Sequence, residues 1–173
     1  MSQLTDDDSN LWNRRGPGGV AASTTHSILI VDQAKCDGCG ECVAACEAAR
    51  RSTSPGSGAC IAVIALQDEG PWFPLVCQQC EDAPCALTCP TGALSRDPDT
   101  PSVSLDQKRC VGCGMCLVSC PFGAIRLDAK AKKMAKCDLC GGDPACAKKC
   151  KAGALKFASP HTLGKERRMA IGA

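Results

Sequence analysis

The chain has 173 residues and a formal net charge of +2; 45% of its residues are hydrophobic, but only 3% are aromatic and Tyr is absent. No basic surface interleaved with aromatic residues is evident, which argues against a nucleic-acid-binding protein. No apolar stretch approaches the length of a transmembrane helix and no apolar signal segment appears near the N-terminus, so we expect no direct membrane insertion and a cytoplasmic location.

The first 26 residues predict an N-terminal tail, because they are polar, rich in glycine and carry the Asp6–Asp8 run. Leu11 and Trp12 are the apolar exceptions, and we interpret them either as a partner-docking anchor or as an incidental pair. Arg14–Arg15 resembles the start of a twin-arginine export signal. Residues 16–19 are Gly-Pro-Gly-Gly where an apolar region should run, so two solvated arginines are favoured.

The next segment predicts two strands around a first cysteine run. The β-branched stretch Ile28–Val31 predicts a buried strand. A run with the spacing C-x2-C-x2-C-x3-C follows, formed by Cys36, Cys39, Cys42 and Cys46. Residues 50–58 carry loop signals throughout, and residues 61–66 predict the second strand. Cys60 stands outside any run, and we favour a plain buried thiol over a stray ligand or a redox switch because free cysteines are so often buried.

Three further runs contain the remaining cysteines. The second run widens the middle gap to four residues, the third repeats the first spacing and ends at Pro121, and the fourth widens the gap to five. Their members are Cys77, Cys80, Cys85 and Cys89; Cys110, Cys113, Cys116 and Cys120; and Cys137, Cys140, Cys146 and Cys150. The third run has the bacterial spacing that holds 4Fe–4S clusters. At four thiolates per cluster, sixteen of the 17 cysteines predict four 4Fe–4S clusters.

Two other interpretations of the cysteines are weaker. A disulfide framework suits a small secreted chain, but the cysteine count is odd. Structural zinc prefers two separated C-x2-C pairs, and three closely spaced thiols crowd a single tetrahedral ion. Only the segment Cys137–Cys150 could pass for a zinc site in isolation. We therefore keep a cysteine-rich zinc-binding interaction scaffold as the alternative function of another class.

A repeated motif follows three of the runs. Cys89, Cys120 and Cys150 each begin the pattern Cys-x-x-Gly-Ala, followed by Leu or Ile. In each copy we expect a ligand helix to end, the glycine to turn the chain and apolar residues to begin a strand. Val103–Leu105 and Ile125–Leu127 predict strands on either side of the third run. The repeating unit predicts an α+β fold of two ferredoxin-like modules with short strands, short helices and long cluster-binding loops.

The surroundings of the runs are uneven in charge. Acidic residues lie in the first two loops and basic residues flank the last two runs: Asp37, Glu41, Glu81 and Asp82 against Lys108, Arg109, Lys136, Lys148, Lys149 and Lys151. Because positive charge favours a reduced cluster, we expect uneven potentials unless these lysines are merely solvated and screened. Trp72 and Phe73 either shield a cluster from water or pack as ordinary core residues.

Residues 28–157 resemble the four-cluster electron-transfer subunits that accompany molybdenum or tungsten enzymes, formate dehydrogenases, hydrogenases and carbon monoxide dehydrogenase. The most specific part is residues 79–85, Gln-Cys-Glu-Asp-Ala-Pro-Cys, followed by Cys89-Pro90-Thr91-Gly92-Ala93. In that family the first and fourth runs pair, and the second and third pair inside them, so the resemblance implies that the two ferredoxin-like modules are interleaved. The resemblance implies an outer module of residues 27–70 plus 129–157, an inner module of residues 71–128, and a C-terminal tail of residues 158–173.

The resemblance also implies the ligand sets of four clusters, which we call clusters A to D. They are Cys36, Cys39, Cys42 and Cys150 for cluster A; Cys137, Cys140, Cys146 and Cys46 for cluster B; Cys77, Cys80, Cys85 and Cys120 for cluster C; and Cys110, Cys113, Cys116 and Cys89 for cluster D. In the fourth run Lys151 stands where the family has proline, which makes cluster B the greatest departure from the pattern.

The expected function is that of a non-catalytic electron-transfer subunit, and no residue is assigned a catalytic role. Its expected partners are a catalytic oxidoreductase subunit and a second redox partner, with self-association that would extend the chain of clusters as a further option. A tungsten or molybdenum aldehyde oxidoreductase or a formate dehydrogenase is the first expectation for the catalytic subunit. A hydrogenase or a carbon monoxide dehydrogenase is the alternative.

Overall fold

The computed structural model describes residues 27–53, 58–67, 70–97 and 102–159, and the single positions 162, 164 and 168. Leu11, Trp12 and the rest of the predicted N-terminal tail lie outside the described residues, as does most of the predicted C-terminal tail. No helix within these described ranges has the length and apolar character needed to cross a bilayer.

Short helices and short strands alternate through the described chain, as the α+β prediction requires. The helices are α1 (Glu41–Thr53), α2 (Pro84–Leu87), α3 (Met115–Ser119) and α4 (Ala145–Lys149), with 3-10 turns at Gln33–Lys35 and Leu139–Gly142. The strands are β1 (Ile28–Val31), β2 (Ala62–Ala65), β3 (Trp72–Leu75), β4 (Leu94–Arg96), β5 (Val103–Leu105), β6 (Arg126–Asp128), β7 (Lys133–Ala135) and β8 (Leu155–Ala158).

The first and fourth cysteine runs are brought together by the two ends of the described chain. Strand β1 pairs antiparallel with β8, so that Ile28 lies opposite Ala158 and Val31 opposite Leu155. The ladder is continued by a hydrogen bond of 2.8 Å from Asp32 N to the carbonyl of Ala154. Helix α1, which follows the first run's loop, packs against α4 of the fourth run.

The second and third runs are joined in the same way. Strand β4 pairs antiparallel with β5, with Leu94 opposite Leu105, and Asp106 N donates to the carbonyl of Ala93 at 2.8 Å. Helix α2 packs against α3. Two hairpins complete the described strands: β2 pairs with β3 and β6 pairs with β7.

Two hydrophobic clusters form the core, and cysteine is a large part of each. One contains Leu29, Ile61, Leu139 and Leu155 with Cys42, Cys46, Cys60 and Cys146. The other contains Leu94, Val103, Ile125 and Met134 with Cys85, Cys110 and Cys116. Cysteine therefore takes core positions that aliphatic or aromatic side chains would otherwise fill.

One predicted loop is partly wrong. Residues 50–53 belong to α1, although the sequence predicts a loop over residues 50–58. The helix is extended by tertiary contact and by local charge: the buried Arg50 donates from Nη1 to the carbonyl of Lys136 at 3.1 Å, and Arg51 pairs with Glu47 one turn earlier at 2.9 Å. Residues 54–57 lie outside the described residues.

The loop of the third run closes against the β6–β7 turn at Gly112. A Cβ atom built at this glycine would lie 2.1 Å from the carbonyl oxygen of Lys132, which is backbone and cannot swing away. The φ angles are similar, +72° at Gly112 and +77° at Gly114, but nothing lies within 4 Å of a Cβ atom built at Gly114. Alanine at Gly114 would therefore cost only the strain of the left-handed backbone. Alanine at Gly112 would add a steric clash with the Lys132 carbonyl.

We expect Gly114→Ala to lower the stability of the cluster-loaded protein by about 1–2 kcal/mol, the cost of a left-handed conformation for a residue with a side chain. Gly112→Ala should cost clearly more, because it adds a clash with the Lys132 carbonyl. Thermal unfolding under anaerobic conditions measures both. Equal losses of stability in the two variants would show that the β6–β7 turn moves away from the added methyl group at no measurable cost.

Candidate iron–sulfur sites

Three of the four predicted ligand sets line separate cavities. Cys36, Cys39, Cys42 and Cys150 line a cavity whose other walls include Val63, Pro74 and Leu155. The β1–β8 ladder places Cys150 beside the first loop. Burial raises the pKa of the Cys42 thiol, and the neighbouring Cys150 adds to the effect. The sulfur of Cys150 accepts a hydrogen bond from Leu155 N at 3.3 Å.

The indole ring of Trp72 covers the loop of this first cavity. A Cβ atom at Gly38, between Cys36 and Cys39, would lie 2.5 Å from the ring atoms of Trp72, so only glycine permits this contact. The indole therefore packs on the loop between Cys36 and Cys39, while the shielding of a cluster from water stays a prediction.

Cys77, Cys80, Cys85 and Cys120 line a second cavity together with Phe122, Ile125 and Lys136. The guanidinium of Arg96 on β4 donates to the carbonyls of Cys80 and Glu81, which fixes the second loop on the β4–β5 sheet. Burial raises the pKa of Cys85, Lys136 opposes this rise, and the Cys77 and Cys120 thiols add to it.

A third cavity is lined by Cys89, Cys110, Cys113 and Cys116 with Leu94, Leu105 and Met134. Burial raises the pKa of Cys116 to about 11. Cys89 differs: although burial acts to raise its pKa, hydrogen bonds from Thr91 and the backbone hold it below the ordinary value. One of these bonds is Ala93 N to the Cys89 sulfur at 3.2 Å.

The fourth set lies where α1 packs on α4. Burial, together with the neighbouring Cys46 and Cys140 thiols, raises the pKa of Cys146 to about 12. Partial burial also raises the pKa of Cys137 well above the ordinary value. The sulfur of Cys46 accepts a hydrogen bond of 3.3 Å from Cys60 N, and that of Cys137 accepts one of 3.4 Å from Leu139 N.

These arrangements fit polynuclear iron–sulfur clusters. Four thiols surround each of the three cavities, whereas no three His, Cys, Asp or Glu side chains among the described residues converge closely enough for a single metal ion. Thiolate is the ligand that iron–sulfur clusters require. Because burial keeps several thiols protonated, binding the cluster releases protons and is favoured as pH rises.

The four sets are neighbours in one series. The Cys146 thiol interacts electrostatically with Cys42 of the first set, the Cys137 thiol with Cys77 of the second run, and the Cys116 thiol with Cys85. The thiols of predicted set A thus lie near those of set B, those of set B near set C, and those of set C near set D.

The basic residues near the runs fall into two classes. Most of them are exposed, as solvated lysines would be: Lys108, Arg109, Lys148, Lys149 and Lys151. Lys136 is 4% exposed and Arg50 is 8% exposed. The sequence places Lys136 beside the fourth run, but neither its burial nor that of Arg50 has a local signal, because both depend on contacts with distant segments.

Cys60 is 2% exposed, which confirms the prediction of a buried thiol, and burial raises its pKa to about 12. Its backbone N–H donates a hydrogen bond to the Cys46 sulfur, and its thiol belongs to none of the four predicted ligand sets. We therefore expect Cys60→Ala to keep the full iron content and to lose only about 1 kcal/mol of stability from the small cavity left behind. Cys46→Ala is the matched control and should lose iron. Comparable losses in both variants, measured by iron analysis after anaerobic purification, would make Cys60 a ligand.

A family model described as "4Fe-4S dicluster domain" matches residues 69–160. The chain is 39% identical over 133 residues to the beta subunit of the NADH-dependent phenylglyoxylate dehydrogenase of Aromatoleum evansii, an alignment that covers 76% of this chain but only 30% of that protein. It is 37% identical to an uncharacterized ferredoxin of Methanocaldococcus jannaschii, over 78% of this chain and 74% of that one. It is 32% identical to a sulfite dehydrogenase subunit of Allochromatium vinosum, over 85% and 74%.

Proposed function

The chain belongs to the family of 4Fe-4S dicluster proteins, and from this premise we propose that it is a non-catalytic electron-transfer subunit of a multi-subunit oxidoreductase. The observation that carries the proposal is the series of neighbouring thiol sets. Electron tunnelling slows steeply with distance, so clusters placed side by side provide the short steps that a long path needs. The chain's own residues supply thiolates, hydrogen bonds to sulfur and an apolar cover.

We propose four clusters with the ligand sets A to D given above. Support for sets A, C and D comes from the cavities that each set lines. Support for set B comes from the mutual approach of Cys46, Cys140 and Cys146. In every set three cysteines come from one run and the fourth from another, and the paired strands and helices bring those two runs together.

The same pairings support two modules, one nested in the sequence of the other. The β1–β8 sheet and the α1–α4 contact link the parts of the outer module, and the β4–β5 sheet and the α2–α3 contact lie within the inner one. We adjust one proposed boundary. Strand β3 pairs with β2 and Pro74 lines the first cavity, so we assign residues 71–76 to the outer module.

The proposed route of the electron runs from cluster A through B and C to D, or in reverse. We propose that one end faces a catalytic subunit and the other a second redox partner. The names of the relatives support an oxidoreductase complex, since one is a subunit of a phenylglyoxylate dehydrogenase and another of a sulfite dehydrogenase. A tungsten or molybdenum aldehyde oxidoreductase or a formate dehydrogenase remains our first proposal for the catalytic subunit.

The proposal predicts about sixteen irons and as many inorganic sulfides per chain, at four of each per cluster. Anaerobically purified protein should show a broad brown absorbance that dithionite bleaches and a mild oxidant restores. A colourless, zinc-containing protein would contradict the proposal outright. A fully folded preparation that holds only eight irons would remove two of the four ligand sets.

The crossing of ligands between runs can be tested with two cysteines of α1. Because Cys42 is assigned to cluster A and Cys46 to cluster B, we expect Cys42→Ser and Cys46→Ser to perturb different clusters. Electron paramagnetic resonance of the reduced variants measures this. If both substitutions alter the same signal, the first run closes on a single cluster and the crossed assignment is wrong.

A further inference from the structure

The side chain of Lys136 is buried at the point where the two proposed modules meet. Its Nζ donates three hydrogen bonds: to Gln79 Oε1 at 3.1 Å, to the carbonyl of Val103 at 2.8 Å and to the carbonyl of Cys137 at 2.8 Å. A neutral amine has two N–H donors, whereas an ammonium has three. The three acceptors therefore select the charged form.

The acceptors come from distant parts of the chain. Gln79 lies in the second cysteine run and Val103 begins β5, both within the inner module, while Cys137 opens the fourth run of the outer one. Gln79 is also held in place, since its Oε1 accepts from Val103 N at 2.9 Å and its Nε2 donates to the carbonyl of Cys137 at 3.0 Å. The ammonium thus has a fixed position.

This position lies between two of the proposed clusters. Lys136 lines the cavity of cluster C and interacts electrostatically with Cys85 of that set and with Cys137 of cluster B. No ion pair among the described residues joins Lys136 to a carboxylate. The acceptors around the ammonium are neutral carbonyl and amide oxygens, so its positive charge is not cancelled locally.

We propose that the buried charge of Lys136 raises the reduction potentials of clusters B and C above the values that their thiolates alone would set. The inference rests on the proposed ligand sets. One-electron reduction takes a 4Fe–4S core from the 2+ to the 1+ state, with the electron supplied by the reductant and no bond made or broken. The added negative charge is attracted to a nearby cation, and burial leaves that attraction largely unscreened by salt.

The test is a redox titration of the cluster-loaded protein with dithionite, followed by electron paramagnetic resonance. Lys136→Gln removes the charge and keeps a hydrogen-bond donor. We expect clusters B and C to become harder to reduce. The equilibrium constant for reduction of each should fall by about tenfold, which lowers a one-electron reduction potential by 59 mV. Lys130→Gln, on the exposed β6–β7 turn, is the matched control and should leave all four couples unchanged.

Two further variants separate charge from packing. Lys136→Arg keeps the charge and should retain the potentials of the parent protein. Gln79→Glu places a carboxylate where the amide oxygen contacts Nζ and leaves the lysine unaltered. It should lower the reduction potentials of clusters B and C, and it tests the inference even if Lys136→Gln fails to hold its clusters. The inference is overturned if the loaded Gln79→Glu variant titrates like the parent, or if Lys136→Arg shifts as far as Lys136→Gln. An iron content below four clusters in the parent protein would instead refute the ligand sets.

Discussion

Every cysteine-lined cavity draws three thiols from one loop and one from a run elsewhere in the chain, and the fold depends on bringing these distant thiols together. The first cavity needs Cys150 beside a loop that begins at Cys36. The β1–β8 ladder achieves this, and the β4–β5 ladder does the same for Cys89 and Cys110. Strands of three or four residues would be marginal alone, so cluster binding must supply much of the folding free energy.

Charge is the second constraint on the molecule. Four oxidised cores at 2+ and sixteen thiolates would change the formal charge from +2 to about −6, and each further electron adds a negative charge. Exposed lysines offset this weakly, because water and salt screen them. A buried ammonium at the module junction acts at short range. Arg50 adds a second buried cation nearby, donating to the carbonyl of Lys136.

The sequence predicts the parts of this structure that local chemistry decides. Ile28–Val31 forms a strand as predicted, and in each Cys-x-x-Gly-Ala copy the glycine N–H donates to the carbonyl of the cysteine three residues earlier. The cysteine spacing identified the cofactor. What the sequence could not predict depends on distant contacts: the last turn of α1, the positive φ of Gln79 (48°) and the burial of Lys136 each require a neighbour far along the chain.

The pairing of β1 with β8 also sets an order for biogenesis. A ribosome releases the thiols of Cys36, Cys39 and Cys42 early, but the strand and the cysteine that complete their cavity are near the end of the described chain. The second and third runs emerge together and can close on each other first. The nascent chain must therefore hold three unmatched thiols in the reduced state while the residues up to Cys150 are made, so the first site matures only after Cys150 has emerged.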